Sequence, residues 1–227
     1  MRMLNRKIED YYRYAERLEI PRGNYIYDSD DDFKRQHACL LDSGICALTT
    51  LTREGENKIH LYFAPKRMVG FAQLGEERLS ECMKQLTDQP ISIIAKTDCV
   101  IYKMKGSVFH QLMKEDLAFC NLMYDILTEN YLNIFQRYIQ MEEASVPVRI
   151  CTLLLDYCVL QDGEYMLPHF FTYTEIANYL SIHPVTVSRV MIALKERGCI
   201  IRHGQNVLIQ DRALLGRVAH KDIILKY

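Results

Sequence analysis

Residues 171–197 read FTYTEIANYLSIHPVTVSRVMIALKER, and their spacing predicts two short helices joined by a tight turn. Thr174 is the expected cap of the first helix, because a hydroxyl there can accept from an orphan backbone N–H. Ile176, Ala177 and Leu180 recur at helical spacing and share one buried face. The small Ala177 lets the second helix approach closely. Ser181-Ile182-His183 makes the turn, and Pro184 suits the first turn of a new helix, where its missing N–H is not needed. Val187, Val190, Met191 and Leu194 form an inner stripe, which leaves Val185, Thr186, Ser188, Arg189 and Ile192 outside. Thr, Ser and Arg on the outward N-terminal face suit a major groove, where hydroxyls meet phosphates and a guanidinium meets guanine edges.

The residues that follow sharpen this. Gly198-Cys199-Ile200-Ile201-Arg202 reads as a helix stop and a short strand, His203 to Asn206 as a turn, and Val207-Leu208-Ile209 as a second strand. A hairpin directly after the second helix is a wing, so the pattern is a winged helix-turn-helix. Asp211 is placed to cap a last helix from Arg212 to His220, and the end from Lys221 to Tyr227 is expected to fray.

TEIANYLSIHPVTVSRVMIALKERGCI resembles the DNA-binding motif of the Crp/Fnr family of bacterial transcription regulators, through its TVSR core, amphipathic second helix and G-C-I-I strand. The HPVTVSR wording is similar to that of the family's halorespiration regulators, which sense chlorinated phenols. The resemblance implies an α+β fold with three parts. Residues 1–104 would form an effector-sensing β-roll, cyclic-nucleotide-binding-like and of jelly-roll or cupin-like type. Residues 105–145 would form a long dimerisation helix and hinge, and residues 146–227 the DNA-binding domain. It implies a homodimer on a palindromic promoter site of double-stranded DNA, control by a small-molecule effector, and RNA polymerase as an allowed further partner.

The family's three base-reading positions, often Arg or another polar residue, then Glu, then Arg four residues later, fall here on Pro184, Val185 and Arg189. Only Arg189 is kept. Val185 cannot accept from a cytosine amino group but can touch a thymine methyl, so an A·T-leaning half-site is expected. The expected DNA contacts are Thr172, Thr174, His183, Pro184, Val185, Thr186, Ser188 and Arg189.

Charge fits this arrangement. Pro184 to Arg217 carries six Arg or Lys against two acids, whereas residues 1–144 carry 19 basic and 22 acidic side chains. A locally basic end on an acidic body suits a DNA-contacting module. The opening MRMLNRKIEDYYRYAERL is charged throughout, so no secretory leader is expected, and no stretch approaches the length of a bilayer span. A cytoplasmic location follows as the expectation. The eight cysteines, at 39, 46, 82, 99, 120, 151, 158 and 199, form no C-x-x-C pair and are expected to be reduced and mostly buried.

Toward the N-terminus, Ile8, Tyr11, Tyr12, Ala15 and Leu18 predict an amphipathic helix over residues 3–19. Short strands with regular turns follow, at Asn24–Tyr27, Ala38–Leu41, Ile45–Leu51, Lys58–Ala64, Ile91–Ala95 and Cys99–Met104, which suggests a barrel or sandwich. In family members that bind cyclic AMP, a Gly-Glu pair and a later Arg-Ser pair hold ribose and phosphate. Gly70 matches the glycine, but Phe71 stands at the Glu position and Gln89 and Pro90 near the Arg-Ser pair. A buried phosphate without a cation is costly, so the expected effector is not cyclic AMP. Tyr62, Phe63, Gly70, Phe71, Tyr124 and Tyr131 are the expected effector-binding residues. Lys66, Arg67 and Lys84 are expected as surface charges.

No cofactor is expected. An iron–sulfur cluster would need clustered N-terminal cysteines, and nothing motivates haem at His60 or Cys82. A cupin-type metal enzyme would need grouped ligands, whereas His37, His60 and His110 are isolated. No catalytic or metal-binding residue is assigned, and an enzyme is not expected. A constitutive DNA-binding dimer with a degenerate sensor remains the alternative.

Gly106 opens a short helix to Lys114, and Asp116 is placed to cap a longer one reaching about Ala144. Along it, Leu117, Cys120, Tyr124, Leu127, Tyr131, Ile134, Tyr138 and Met141 alternate at spacings of 3 and 4, an unbroken heptad stripe. Phe119, Met123, Ile126 and Phe135 form a second apolar set, expected to pack on the barrel. Pro147 marks the hinge.

Overall fold

A computed structural model of the chain describes residues 7–28, 36–52, 55, 57–71, 74, 91–204 and 206–227. Cys82, Lys84, Gln89 and Pro90, singled out above, lie outside the described residues. The chain divides into two compact units, residues 1–134 and 135–227.

The first unit opens with a 3-10 helix at Ile8–Tyr14, followed by β1 (Glu16–Ile20). The single helix expected over 3–19 is therefore corrected. Leu18 fits both a helical and an alternating period, and pairing decides: Leu18 sits opposite Ile101 in an antiparallel ladder. Among the described residues, β2 (Tyr25–Asp28), β3 (His37–Ser43), β4 (Cys46–Leu51), β5 (Asn57–Phe63), β6 (Arg67–Val69), β7 (Ile91–Ala95) and β8 (Cys99–Lys105) complete two four-stranded antiparallel sheets. Their orders are β1-β8-β3-β6 and β2-β7-β4-β5.

The Ala38–Leu41 run is apolar throughout because β3 is covered on both faces. Cys39 and Leu41 join Ile26, Leu61, Phe63, Ile93 and Ile101 between the sheets. Ala38 and Leu40 point the other way, into a second cluster with Tyr11, Met104, Phe109, Phe119, Met123 and Ile126. That split is the two-residue period of a strand.

The second cluster is closed by α1 (Gly106–Glu115) and the 27-residue α2 (Leu117–Glu143). Asp116 caps α2 as expected, its Oδ1 accepting from the backbone N–H of Ala118 at 2.9 Å and of Phe119 at 3.1 Å. Phe119, Met123 and Ile126 are buried, whereas Phe135, expected in the same set, is 47% exposed. Phe135 is the first residue of the second compact unit. The heptad stripe lies on another face, with Tyr124 70% and Tyr131 64% exposed in the single chain. Lys66 and Arg67 are surface charges with partners: Lys66 pairs with Asp42 and Glu9, and Arg67 with Glu129 of α2.

The second unit contains the end of α2, then α3 (Val146–Tyr157), β9 (Val159–Gln161), β10 (Glu164–Leu167), α4 (Tyr173–Leu180), α5 (Pro184–Glu196), β11 (Ile200–His203), β12 (Asn206–Ile209) and α6 (Arg212–Ala219). Pro147 sits in the first turn of α3, where it leaves no helical hydrogen bond unmade. The wing strands belong to a four-stranded sheet ordered β11-β12-β10-β9. Asp211 caps α6, accepting from the Leu214 N–H at 2.8 Å. The last residues have no regular structure, but Leu225 is buried, so the tail is held where fraying was expected.

The described cysteines are all free thiols. Burial pushes the Cys39 and Cys151 thiols up to about 12 and holds Cys46 well above its ordinary value. The thiolate is the reactive species. Brief treatment of the native protein with iodoacetamide at pH 8 should therefore leave Cys39, Cys46 and Cys151 unmodified. Among the described cysteines, half-buried Cys158 should react before these three. Peptide mass spectrometry reads the difference, and prompt labelling of Cys39 or Cys46 would contradict the packed interior.

Candidate nucleic-acid interface

The helix-turn-helix is α4, a turn and α5. Ile176, Ala177, Tyr179 and Leu180 of α4 are buried, as are Val187, Val190, Met191, Ala193 and Leu194 of α5. The turn is closed by Ser181 in the left-handed region, with φ 53° and its N–H reaching back to the carbonyls of Ala177 and Asn178. A left-handed residue at a helix end satisfies carbonyls that have no partner within the helix.

Thr172, not Thr174, caps α4: its Oγ1 accepts from the Glu175 N–H at 3.1 Å. The sequence offers the hydroxyl–x–x–Glu pattern at Thr172 and Glu175, and α4 begins at Tyr173, so Thr174 already lies inside the helix. Thr172→Ala should lower stability by about 0.5–2 kcal/mol. Thr174→Ala, at an exposed position, should change it by no more than about 0.5 kcal/mol. Chemical denaturation of the two variants checks the assignment, and the reverse order would refute it.

His183 caps α5. Its Nδ1 accepts from the Val185 N–H at 3.2 Å, which in a neutral ring places the proton on Nε2. Nδ1 is thus occupied by the helix start, while Nε2 remains a donor on an exposed side chain. Pro184, Val185 and Arg189 are exposed, and Thr186 and Ser188 are half-buried on the flanks. The five expected contacts on α5 therefore share its outer side with His183 at its tip. Thr172 and Thr174 are exposed at the start of α4.

Three arginines make the polar contacts that brace this head. Arg137, near the end of α2, donates to the Tyr179 carbonyl, with its guanidinium carbon 4.3 Å from the Tyr179 ring centroid. Arg149 of α3 donates to the Leu180 carbonyl at 3.2 Å. Two cations thus meet the negative end of α4, where they are favourable. In the wing, Arg202 donates to the Tyr173 hydroxyl at 3.2 Å and to the Gly204 carbonyl at 3.0 Å, which ties the hairpin to the start of α4.

The expected effector residues do not gather in one place. Phe63 lies between the sheets, and Gly70, with φ 69°, turns the chain beside Tyr27. Phe71 packs on the second cluster, 6.1 Å from Phe109. Tyr62 is buried on β5, while Tyr124 and Tyr131 lie on the exposed face of α2. Among the described residues no group of side chains suited to a metal ion occurs, and no helix is long and apolar enough to cross a membrane.

Comparison with known proteins agrees with this geometry. Residues 148–218 match a sequence model described as the Crp-like helix-turn-helix domain. A putative transcriptional regulator of the Crp/Fnr family from Eubacterium rectale is similar over 97% of this chain and 95% of its own, with TM-score 0.70 and 16% identity. FixK2 from Bradyrhizobium japonicum is similar over 89% and 96%, with TM-score 0.71 and 16% identity. A CRP/FNR-family transcriptional regulator from Thermus thermophilus is similar over 90% and 98%, with TM-score 0.70 and 17% identity. No curated protein sequence matches the chain. With its matched reading domain and a fold shared across both units, the chain carries a Crp-like helix-turn-helix and has the architecture of the Crp/Fnr-family transcription regulators.

Proposed function

We propose that this protein is a homodimeric, effector-responsive transcription regulator that binds a palindromic promoter site. The observation that carries the DNA reading is α5 itself. Its inner stripe is fully used by packing, yet Val185 and Arg189 stand exposed beside Thr186 and Ser188. A helix that places a guanidinium and hydroxyls outward within its first two turns suits a major groove.

The homodimer rests on α2. Leu117, Tyr124, Leu127, Tyr131, Ile134, Tyr138 and Met141 form one exposed apolar stripe. Exposed apolar surface of that extent marks an interaction site, and a heptad stripe is covered most simply by its own copy in a two-fold pair. Two heads related by that axis would read successive major grooves one DNA turn apart.

Effector control rests on the β-roll architecture, and a ligand acts only if it binds the two arrangements of the dimer with different affinity. A thermal-shift screen of small aromatic acids, phenols, cyclic nucleotides and haem tests that part. Selection of binding sites from random duplexes, with and without a hit from the screen, tests the whole. An enriched palindrome whose affinity changes with the ligand is the expected result. An enriched palindrome indifferent to every ligand would favour the constitutive reading, and no enrichment would refute DNA recognition.

A further inference from the structure

α5 carries a second aliphatic side chain that the groove reading above does not use. Ile192 is 52% exposed, as much as Val185 at 51%, on a helix whose other aliphatic residues, Val187, Val190 and Leu194, are buried. Val185, Arg189, Ile192 and Glu196 are all exposed and follow one another at spacings of four, three and four, which places them on a single stripe of the helix. The stripe reads aliphatic, guanidinium, aliphatic, carboxylate. Lys195, also exposed, flanks it.

We infer that Ile192 is a second methyl-reading residue and that the protein recognises two thymine C5-methyl groups per half-site, one under Val185 and one under Ile192. This rests on the DNA reading proposed above. Arg189 separates the two aliphatic groups, so they do not form the contiguous apolar patch that a protein partner would cover. A major groove presents apolar groups in this way: isolated methyls among hydrogen-bonding edges. Seven residues at a rise of about 1.5 Å separate the two side chains by roughly 10 Å along the helix. At about 3.4 Å per base step, that is roughly three base pairs. Glu196 bounds the contact, since its carboxylate is repelled by phosphates, and Lys195 beside it can meet the last one.

Uracil differs from thymine only by the missing methyl. Once an operator has been selected, each thymine is replaced in turn by deoxyuridine and affinity is measured at fixed salt. Two uracil-sensitive positions per half-site, about three base pairs apart, are expected, each weakening binding roughly three- to fivefold. Ile192→Ala should abolish the effect at one of them and Val185→Ala at the other. Ile192→Lys, which keeps a long side chain and attracts phosphate, should bind thymine and uracil at the first position equally. Thermal unfolding of each variant confirms that the head is intact. A single sensitive position in the wild type, or two positions that both keep their sensitivity in the Ile192 variants, overturns the inference and leaves the DNA reading standing. A selection that enriches no sequence overturns both.

Discussion

A Tyr131→Asp chain is expected to sediment as a monomer at concentrations where the wild type sediments as a dimer. Tyr131 lies mid-stripe on α2 and is 64% exposed in the single chain, so the folded subunit is expected to tolerate the substitution. In the proposed pair it would place a carboxylate from each chain against apolar side chains. A buried charge without a partner is unfavourable by about 3–5 kcal/mol. Even about 3 kcal/mol from one of the two carboxylates would raise the dissociation constant by more than a hundredfold. Circular dichroism should show an unchanged helical content. An unaltered sedimentation profile would remove the seam, and with it the palindromic geometry of the two heads.

The second large effect is expected at Arg189. It is exposed on the outer face of α5, between Val185 and Ile192, where a guanidinium can take guanine O6 and N7 together. Arg189→Ala should reduce discrimination between the selected operator and a scrambled duplex by roughly 1–3 kcal/mol per half-site. Binding to scrambled DNA should change much less, because that affinity comes from phosphate contacts and falls with salt. An equal loss on both duplexes would mean that Arg189 only holds phosphate.

The reading domain is legible in the sequence because its signals are local. Pro184 sets a helix start, the buried stripe from Val187 to Leu194 keeps one period, and Gly198 ends the helix before two short strands. The barrel is legible in outline, yet Glu16–Glu19 reads as the end of a helix because Leu18 continues the spacing of Ile8, Tyr11 and Ala15 until a partner strand is present. The Arg67–Val69 and Val159–Gln161 strands escape for the same reason: three residues carry too little pattern. The cap at Thr172 is legible only through its hydroxyl–x–x–Glu spacing to Glu175, because two threonines flank Tyr173 and either could serve; the backbone decides between them. The contacts of Arg137 and Arg149 cannot be read at all. Their acceptors are main-chain carbonyls, which every residue has, so no side-chain pattern announces them.

That last feature bears on how such proteins can be recombined. Because Arg137 grips the Tyr179 carbonyl and ring, a chimera that transplants this head onto a foreign sensor should be spliced upstream of Phe135, where the second compact unit begins. A graft trimmed back to Val146 would keep Arg149 but discard its companion, leaving α4 with one guanidinium at its end instead of two.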